Sequence, residues 1–225
     1  HVTEELIARA LTQQPEITAI GVTGQMHGVL PVDARGRPTG PAYTWLDARA
    51  TNALEAMRSE LGTTAPPGYG AATLFALTRS GKLPPETEFV TSVPAWVAGR
   101  LANVTCCPSS PGLAHSLGFF SPERRAFDTG QWERISPLPP PAVGTDASFI
   151  GESRSGLPIC VPEGDNQASY LATVRDPERA VSFNVGTSGQ VSVLQPSGSV
   201  PNDAAPMEAR PFPGGRTLLV GTTLS

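Results

Sequence analysis

The sequence predicts an α/β fold over residues 1–178, followed by a shorter, mostly β segment. Two observations carry that expectation. Short β-branched runs alternate with amphipathic stretches as far as Asp165–Val174, and after Ala180 strand-like runs follow one another with few helices between. The 23 glycines and 24 prolines, spread without a repeat period, predict many turns and exclude collagen and long coiled coils. At roughly 150 residues per domain, 225 residues make one large domain, or one domain and part of a second.

The elements follow in order. Leu6, Ile7, Ala10 and Leu11 recur at helical spacing, so residues 3–13 read as a helix that Thr3 is placed to cap and Pro15 ends. Ile17–Val22 has the character of a buried strand, Val29–Val32 that of a returning one, and Asp33–Gly36 the turn after it. Leu54, Met57 and Leu61 predict a helix over 47–61, and the Ala- and Leu-rich stretch 70–80 a third. Phe89–Ser92 reads as a strand, followed by a helix from Pro94 to Leu101. Residues 121–149 read as loop, with Ser136–Ala142 a stiff polyproline-like connector. Leu157–Val161 is a strand and Asp165–Val174 a helix. Ala180–Val185, Gly189–Leu194 and Thr217–Val220 are the later strands.

Composition narrows the function classes. Hydrophobic residues at 39% supply a core, which excludes a wholly disordered chain. A net charge of −4 with no basic face argues against nucleic-acid binding. No apolar run approaches the roughly 18 residues of a membrane span. Cys106, Cys107 and Cys160 show no disulfide framework and no metal-ligand spacing, so reduced thiols in a cytoplasmic protein are expected. No signal peptide is visible, and His1 in place of Met suggests a start inside a longer chain.

Four stretches carry residues suited to chemistry. Gly24-Gln25-Met26-His27-Gly28 follows the strand over 17–22, where ligands of open α/β sheets gather. The plainer reading of His27 is a hydrogen-bonded structural histidine. Tyr43-Thr-Trp45-Leu-Asp47-Ala-Arg49 offers an aromatic face for a sugar ring and charged groups for its hydroxyls; otherwise Trp45 fills core and Asp47 caps a helix. In Gly164-Asp165-Asn166-Gln167, between a strand and a helix, Asp165 reads first as an N-cap, a place from which a carboxylate can also accept a proton. Asn184-Val-Gly186-Thr187-Ser188-Gly189 is a tight turn whose amides and hydroxyls could bind an anion, or simply a hairpin.

In this order and at these distances the four stretches resemble the FGGY carbohydrate kinases. The carriers are Ile20–His27, Thr44–Arg49, Gly164–Ala168 and Val185–Gly189. The Met-His pair is similar to xylulokinase-type members. Gly68–Phe75, Gly118-Phe-Phe120 and Arg210–Val220 are similar to sedoheptulokinase-type ones. The resemblance implies two domains of the ribonuclease-H-like, actin-like ATPase fold, with sugar and ATP meeting between them. Residues 1–178 would be the sugar-binding domain without its N-terminal phosphate hairpin, and 179–225 the start of the ATP-binding domain.

It further implies ATP-dependent phosphorylation of a primary hydroxyl of a ketose such as sedoheptulose or xylulose, with Mg²⁺ accompanying ATP. Asp165 would be the general base. Gln25, Met26, His27, Trp45, Asp47 and Asn166 would bind the sugar, and Gly186, Thr187, Ser188 and Gly189 the phosphates, with no protein metal ligand assigned. Sugar and ATP are the expected partners, without nucleic acid or membrane, and a homodimer is among the assemblies left open. Two positions that the family commonly fills with acidic residues are Pro111 and Ala95 here. They leave a non-catalytic sugar-binding or regulatory homologue as the alternative.

Overall fold

The computed structural model describes residues 2–185, 189–195 and 207–223. It opens on helix α1 (Val2–Gln13), which buries none of its residues. The helix has already begun at Val2, so Thr3 lies inside its first turn and is not its cap. The chain then runs beside a later segment in a parallel ladder. Ile20 N–H donates to Pro158 O, Cys160 N–H to Ile20 O and Glu163 N–H to Val22 O, at 2.9, 3.0 and 3.0 Å. The ladder ends where β1 (Thr23–Gly24) pairs with β8 (Glu163–Gly164), Gly24 opposite Gly164.

The strand expected over 17–22 is thus reduced to a bridge at Ile20 and the two residues of β1. Pro158 and Pro162 on the facing chain have no N–H to donate, which interrupts regular pairing. β6 (Phe149–Glu152) flanks the same ladder through antiparallel β7 (Pro158–Cys160), giving a small mixed sheet. Helix α4 (Val93–Ala102), capped by the Ser92 hydroxyl, packs Ala95, Ala98 and Leu101 against Ile159 in that sheet.

β2 (Leu30–Val32) pairs antiparallel with β3 (Phe89–Thr91). The turn after β2 is closed by Asp33, whose carboxylate accepts the Arg35 and Arg37 N–H groups. The helix expected over 47–61 is split into a 3-10 turn (Arg49–Ala53) and α2 (Leu54–Leu61). Helix α3 (Gly70–Arg79) is buried along most of its length and lies in the main core.

Two segments depart from the loop expected over 121–149. β4 (Phe120–Ser121) and β5 (Ala126–Phe127) form a short hairpin, and α6 (Thr129–Ile135) follows, its first turn satisfied by the Asp128 carboxylate. Trp132 and Ile135, three apart on α6, face α3 and drive that helix inward. Trp132 meets Phe127 edge-on at 5.0 Å and donates its indole N–H to Leu138 O at 3.0 Å. It is 1% exposed, so Trp132→Ala should cost about 3–5 kcal/mol, measured as a shift in chemical denaturation midpoint at constant slope. Helix α5 (Pro111–Leu117), unanticipated from the sequence, starts on the Ser110 hydroxyl with proline in its first turn.

Helix α7 (Asp165–Thr173) leads into an antiparallel sheet of β9 (Val181–Val185), β10 (Gly189–Gln195), β11 (Glu208–Phe212) and β12 (Arg216–Thr223), in the order β11-β12-β10-β9. The expectation of successive strands after Ala180 is met, with β11 an addition. Tyr170 of α7 packs edge-on against Phe212 of β11, with Leu194 and Leu218 completing the contact. The sheet therefore lies against α7, and Gln167 Nε2 donates across to Pro211 O at 3.2 Å. Among the described residues no helix is long and apolar enough to cross a membrane.

Candidate functional site

Parallel pairing of β1 with β8 places the chain after Gly24 beside the chain after Gly164. From that register the chain runs on to Gln25, Met26 and His27 in one segment and to Asp165 and Asn166 in the other. Met26 is buried, and its thioether lies over Gly164: a Cβ there would sit 2.8 Å from Met26 Sδ. A larger residue there would have to displace the Met26 and Gln167 side chains. Gln25 is half-buried on the turn between β1 and Met26.

His27 sits in a tight turn closed by Gly28 N–H to Met26 O, at 2.8 Å. Its φ of 69° falls in the left-handed region, strained for a residue with a side chain. Helix α5 holds it there. The His27 N–H donates to Ser116 Oγ, and Nδ1 lies 3.1 Å from Ser116 O. A carbonyl only accepts, so the ring proton is on Nδ1 and Nε2 is left as an acceptor.

Burial, reinforced by Arg210 and opposed by Glu208, pushes the His27 pKa down to about 4. The imidazole is therefore neutral throughout the physiological range. The unfolded chain takes up this proton near pH 6.5 and the folded chain only near 4. The linked stability is complete above pH 6.5 and is lost as pH falls towards 4. The loss should reach up to about 3 kcal/mol, and His27→Gln should flatten the profile of melting temperature over that window.

Asp165 departs from its expected capping role. The N-cap of α7 is Gly164, and Asp165 is the first helical residue, with no side-chain cap bond recorded at this end. Burial of its carboxylate raises its pKa, opposed by the Asn166 backbone N–H and by Arg210. Asn166 is anchored on both sides of its amide: Nδ2 donates to Gln190 Oε1 at 2.7 Å, and Oδ1 faces Arg210 Nη1 at 3.4 Å.

Arg210 is the residue that joins these pieces, and nothing in its spacing assigned it a role. It is 7% exposed on β11 and donates from Nε and Nη2 to Glu208 Oε2, at 3.0 and 2.7 Å. Glu208 Oε1 accepts the Tyr69 hydroxyl at 2.9 Å, and Tyr69 stacks on His27 with ring centroids 4.3 Å apart. Hydrogen bonds from Arg210 together with its charge, with the Tyr69 hydroxyl adding to them, hold the Glu208 carboxyl below its ordinary pKa despite burial. A continuous network runs from Asn166 through Arg210, Glu208 and Tyr69 to His27.

Trp45 and Asp47 are placed next to this network without joining it. Their loop is fixed to the strand after His27 by paired backbone bonds between Val29 and Tyr43. Asp47 accepts the Arg49 backbone N–H at 3.0 Å and the Arg49 Nε at 2.7 Å, and Arg49 lies over the Tyr43 ring at 4.2 Å. The hydrogen bonds from Arg49 hold Asp47 below the usual carboxylate range. The Asp47 carboxylate thus clasps its own loop. Trp45 is 55% exposed, and its carbonyl rests on Gly68, beside Tyr69. Gly186, Thr187 and Ser188 lie outside the described residues; Gly189 opens β10 opposite Val185. Pro111 and Ala95 are both buried in the first turns of their helices.

Residues 1–67 match the model of the FGGY family of carbohydrate kinases, N-terminal domain. A sedoheptulokinase of Mus musculus is 26% identical over 89% of this chain and 48% of its own length. A xylulose kinase of Streptomyces coelicolor is 27% identical, over 77% of this chain and 40% of its own. The chain spans about half the length of the curated relatives it matches. Among solved structures, a xyloylose kinase from Brucella ovis superposes with a TM-score of 0.80 at 22% identity, covering 99% of this chain and 48% of that one. A ligand-bound xylulose kinase from Lactobacillus acidophilus gives 0.75 at 15% identity, over 95% and 48%. The fold is the mixed α/β, actin-like ATPase fold of those sugar kinases, as the sequence led one to expect.

Proposed function

We propose that this chain is the sugar-binding part of an FGGY-type carbohydrate kinase, together with the first sheet of its ATP-binding domain, divided near residue 178. It would transfer the γ-phosphoryl group of ATP to a primary hydroxyl of a ketose of the sedoheptulose or xylulose class. The observation that supports the reading is the β1–β8 pairing, Gly24 opposite Gly164, from which the chain runs on to Met26 and His27 in one segment and to Asp165 and Asn166 in the other.

Asp165 would accept the proton of the sugar hydroxyl while that oxygen bonds to phosphorus and the bond to ADP breaks. Its raised pKa favours this role, since a more basic carboxylate is a better proton acceptor. Asn166, fixed by Gln190 and Arg210, would hold a neighbouring hydroxyl. Neutral His27 would accept one at Nε2, and the thioether of Met26 would shape the apolar side. Gly186–Gly189 would meet the phosphates. Mg²⁺ accompanies ATP in phosphoryl transfer and neutralises its developing charge. Among the described residues no group of three or more His, Cys, Asp or Glu is gathered to hold an ion, so no residue of this chain is assigned to it. The reading is of a cytoplasmic enzyme.

The test is ADP release by the full-length protein against a panel of ketoses and polyols. Sugar-dependent ADP release supports the kinase. Calorimetric sugar binding without ADP release would instead establish the non-catalytic homologue, for which Pro111 and Ala95 speak.

A further inference from the structure

We propose that Glu163 is a positioning residue for Asp165: its carboxylate fixes the glycine ahead of Asp165 and ties it to helix α5, which holds His27. This rests on the kinase reading above, in which Asp165 is the base. It assigns a role to a side chain not counted among the sugar- and phosphate-binding groups.

Glycine makes a soft link between a strand and a helix, because no Cβ narrows its φ and ψ. Gly164 stands at such a link, as the N-cap of α7 with no side-chain cap bond. Its restraint comes from the residue before it. Glu163 is half-buried, and its Oε1 accepts the Gly164 N–H at 2.8 Å. That bond holds the peptide group entering Gly164, one residue ahead of Asp165.

The same oxygen accepts the Ser110 hydroxyl at 2.7 Å, and Ser110 Oγ in turn accepts the Leu113 N–H at 3.2 Å as the cap of α5. Further along that helix, Ser116 Oγ accepts the His27 N–H. One carboxylate oxygen therefore joins the start of α7 to the start of α5, and so the base to the turn that carries His27. Helix α5 is pressed onto this junction. A Cβ at Gly112, in its first turn, would lie 2.6 Å from Glu163 Oε1 and 2.7 Å from Gln167 Nε2. A misplacement of about 1 Å at a reacting group can cost a hundredfold in rate, whereas a hydrogen bond to a sugar hydroxyl holds over about half an ångström. Loosening the junction therefore acts on kcat before KM.

The test is ADP release by the full-length protein with the ketose that wild type phosphorylates best, well below the melting temperature of every variant. Glu163→Ala should lower kcat by about ten- to a hundredfold and change sugar KM by less than about threefold. Glu163→Gln, whose amide oxygen can accept both hydrogen bonds, should restore most of that loss. Gly112→Ala should lower kcat about tenfold without removing any hydrogen-bonding group, because its methyl displaces the carboxylate while alanine favours the helix. A merely structural Glu163 predicts lower melting temperatures with kcat unchanged, and that result overturns the proposal. So does a Glu163→Gln variant as slow as Glu163→Ala, since the charge and not the junction would then matter. If Glu163→Ala fails to fold, Gly112→Ala decides, and a kcat within about twofold of wild type overturns the proposal while leaving the kinase reading intact. Should wild type release ADP with no ketose, the kinase reading fails, and hydrogen exchange at amides 164–168 decides. Faster exchange in Glu163→Ala or Gly112→Ala than in wild type and Glu163→Gln supports the junction, and equal exchange overturns it.

Discussion

Asp165→Asn in the full-length protein is expected to lower turnover by roughly two to four orders of magnitude while leaving the fold intact. The amide cannot accept the proton of a sugar hydroxyl. Its shape and its ability to hydrogen-bond are retained, so sugar affinity should change much less than turnover. The structural cost is small because Gly164, not Asp165, is the cap of α7. What is lost is a negative charge in the first turn, about 0.3–1 kcal/mol. Turnover, calorimetric sugar affinity and melting temperature on this one variant separate chemistry from stability. Near-normal turnover would remove Asp165 as the base.

Gly68→Ala is expected to lower stability by several kcal/mol and to weaken sugar binding with it. Gly68 has a φ of 86°, strained for any residue with a side chain, and a Cβ built there would lie 2.2 Å from the Trp45 carbonyl oxygen. Neither partner yields cheaply, because the obstacle is backbone rather than the end of a flexible side chain. Left-handed strain alone costs about 1 kcal/mol or more, and separating the Trp45 loop from Tyr69 adds to it. A denaturation midpoint near that of wild type would show the contact to be loose.

The contrast between these two positions reflects what a sequence can show. Asp165 and Asn166 stand out in the sequence because they share one short motif between a strand and a helix. Met26 and His27 stand likewise in one short motif, between β1 and β2. Arg210 lay within a stretch recognised by its resemblance, but spacing does not say which way a strand residue points. Its partners Asn166 and Tyr69 are remote in sequence, Asn166 by 44 positions. Tyr69 reaches the same network across 139 positions, through Glu208. Asp47 lies at the other extreme, since its partner is Arg49, only two residues on, and a local clasp looks the same in sequence as a ligand-binding carboxylate. Of the missed elements, α5 and α6 did carry signals, Ser110-Pro111 and Asp128, which are ordinary helix starts. β6 and β11 are short and contain glycine or proline, so alternation was too brief to register.

The pairing of β1 with β8 also sets a schedule on the ribosome. Gly24 is made about 140 residues ahead of Gly164, the neighbour that aligns it. At ordinary synthesis rates this is a wait of roughly ten to thirty seconds. Through that interval the Met26–His27 turn has neither the β8 register nor the α5 serine that holds its strained backbone. Over those residues the nascent chain carries the Met26–His27 turn unformed, exposing its apolar flanks to whatever receives the chain at the tunnel exit.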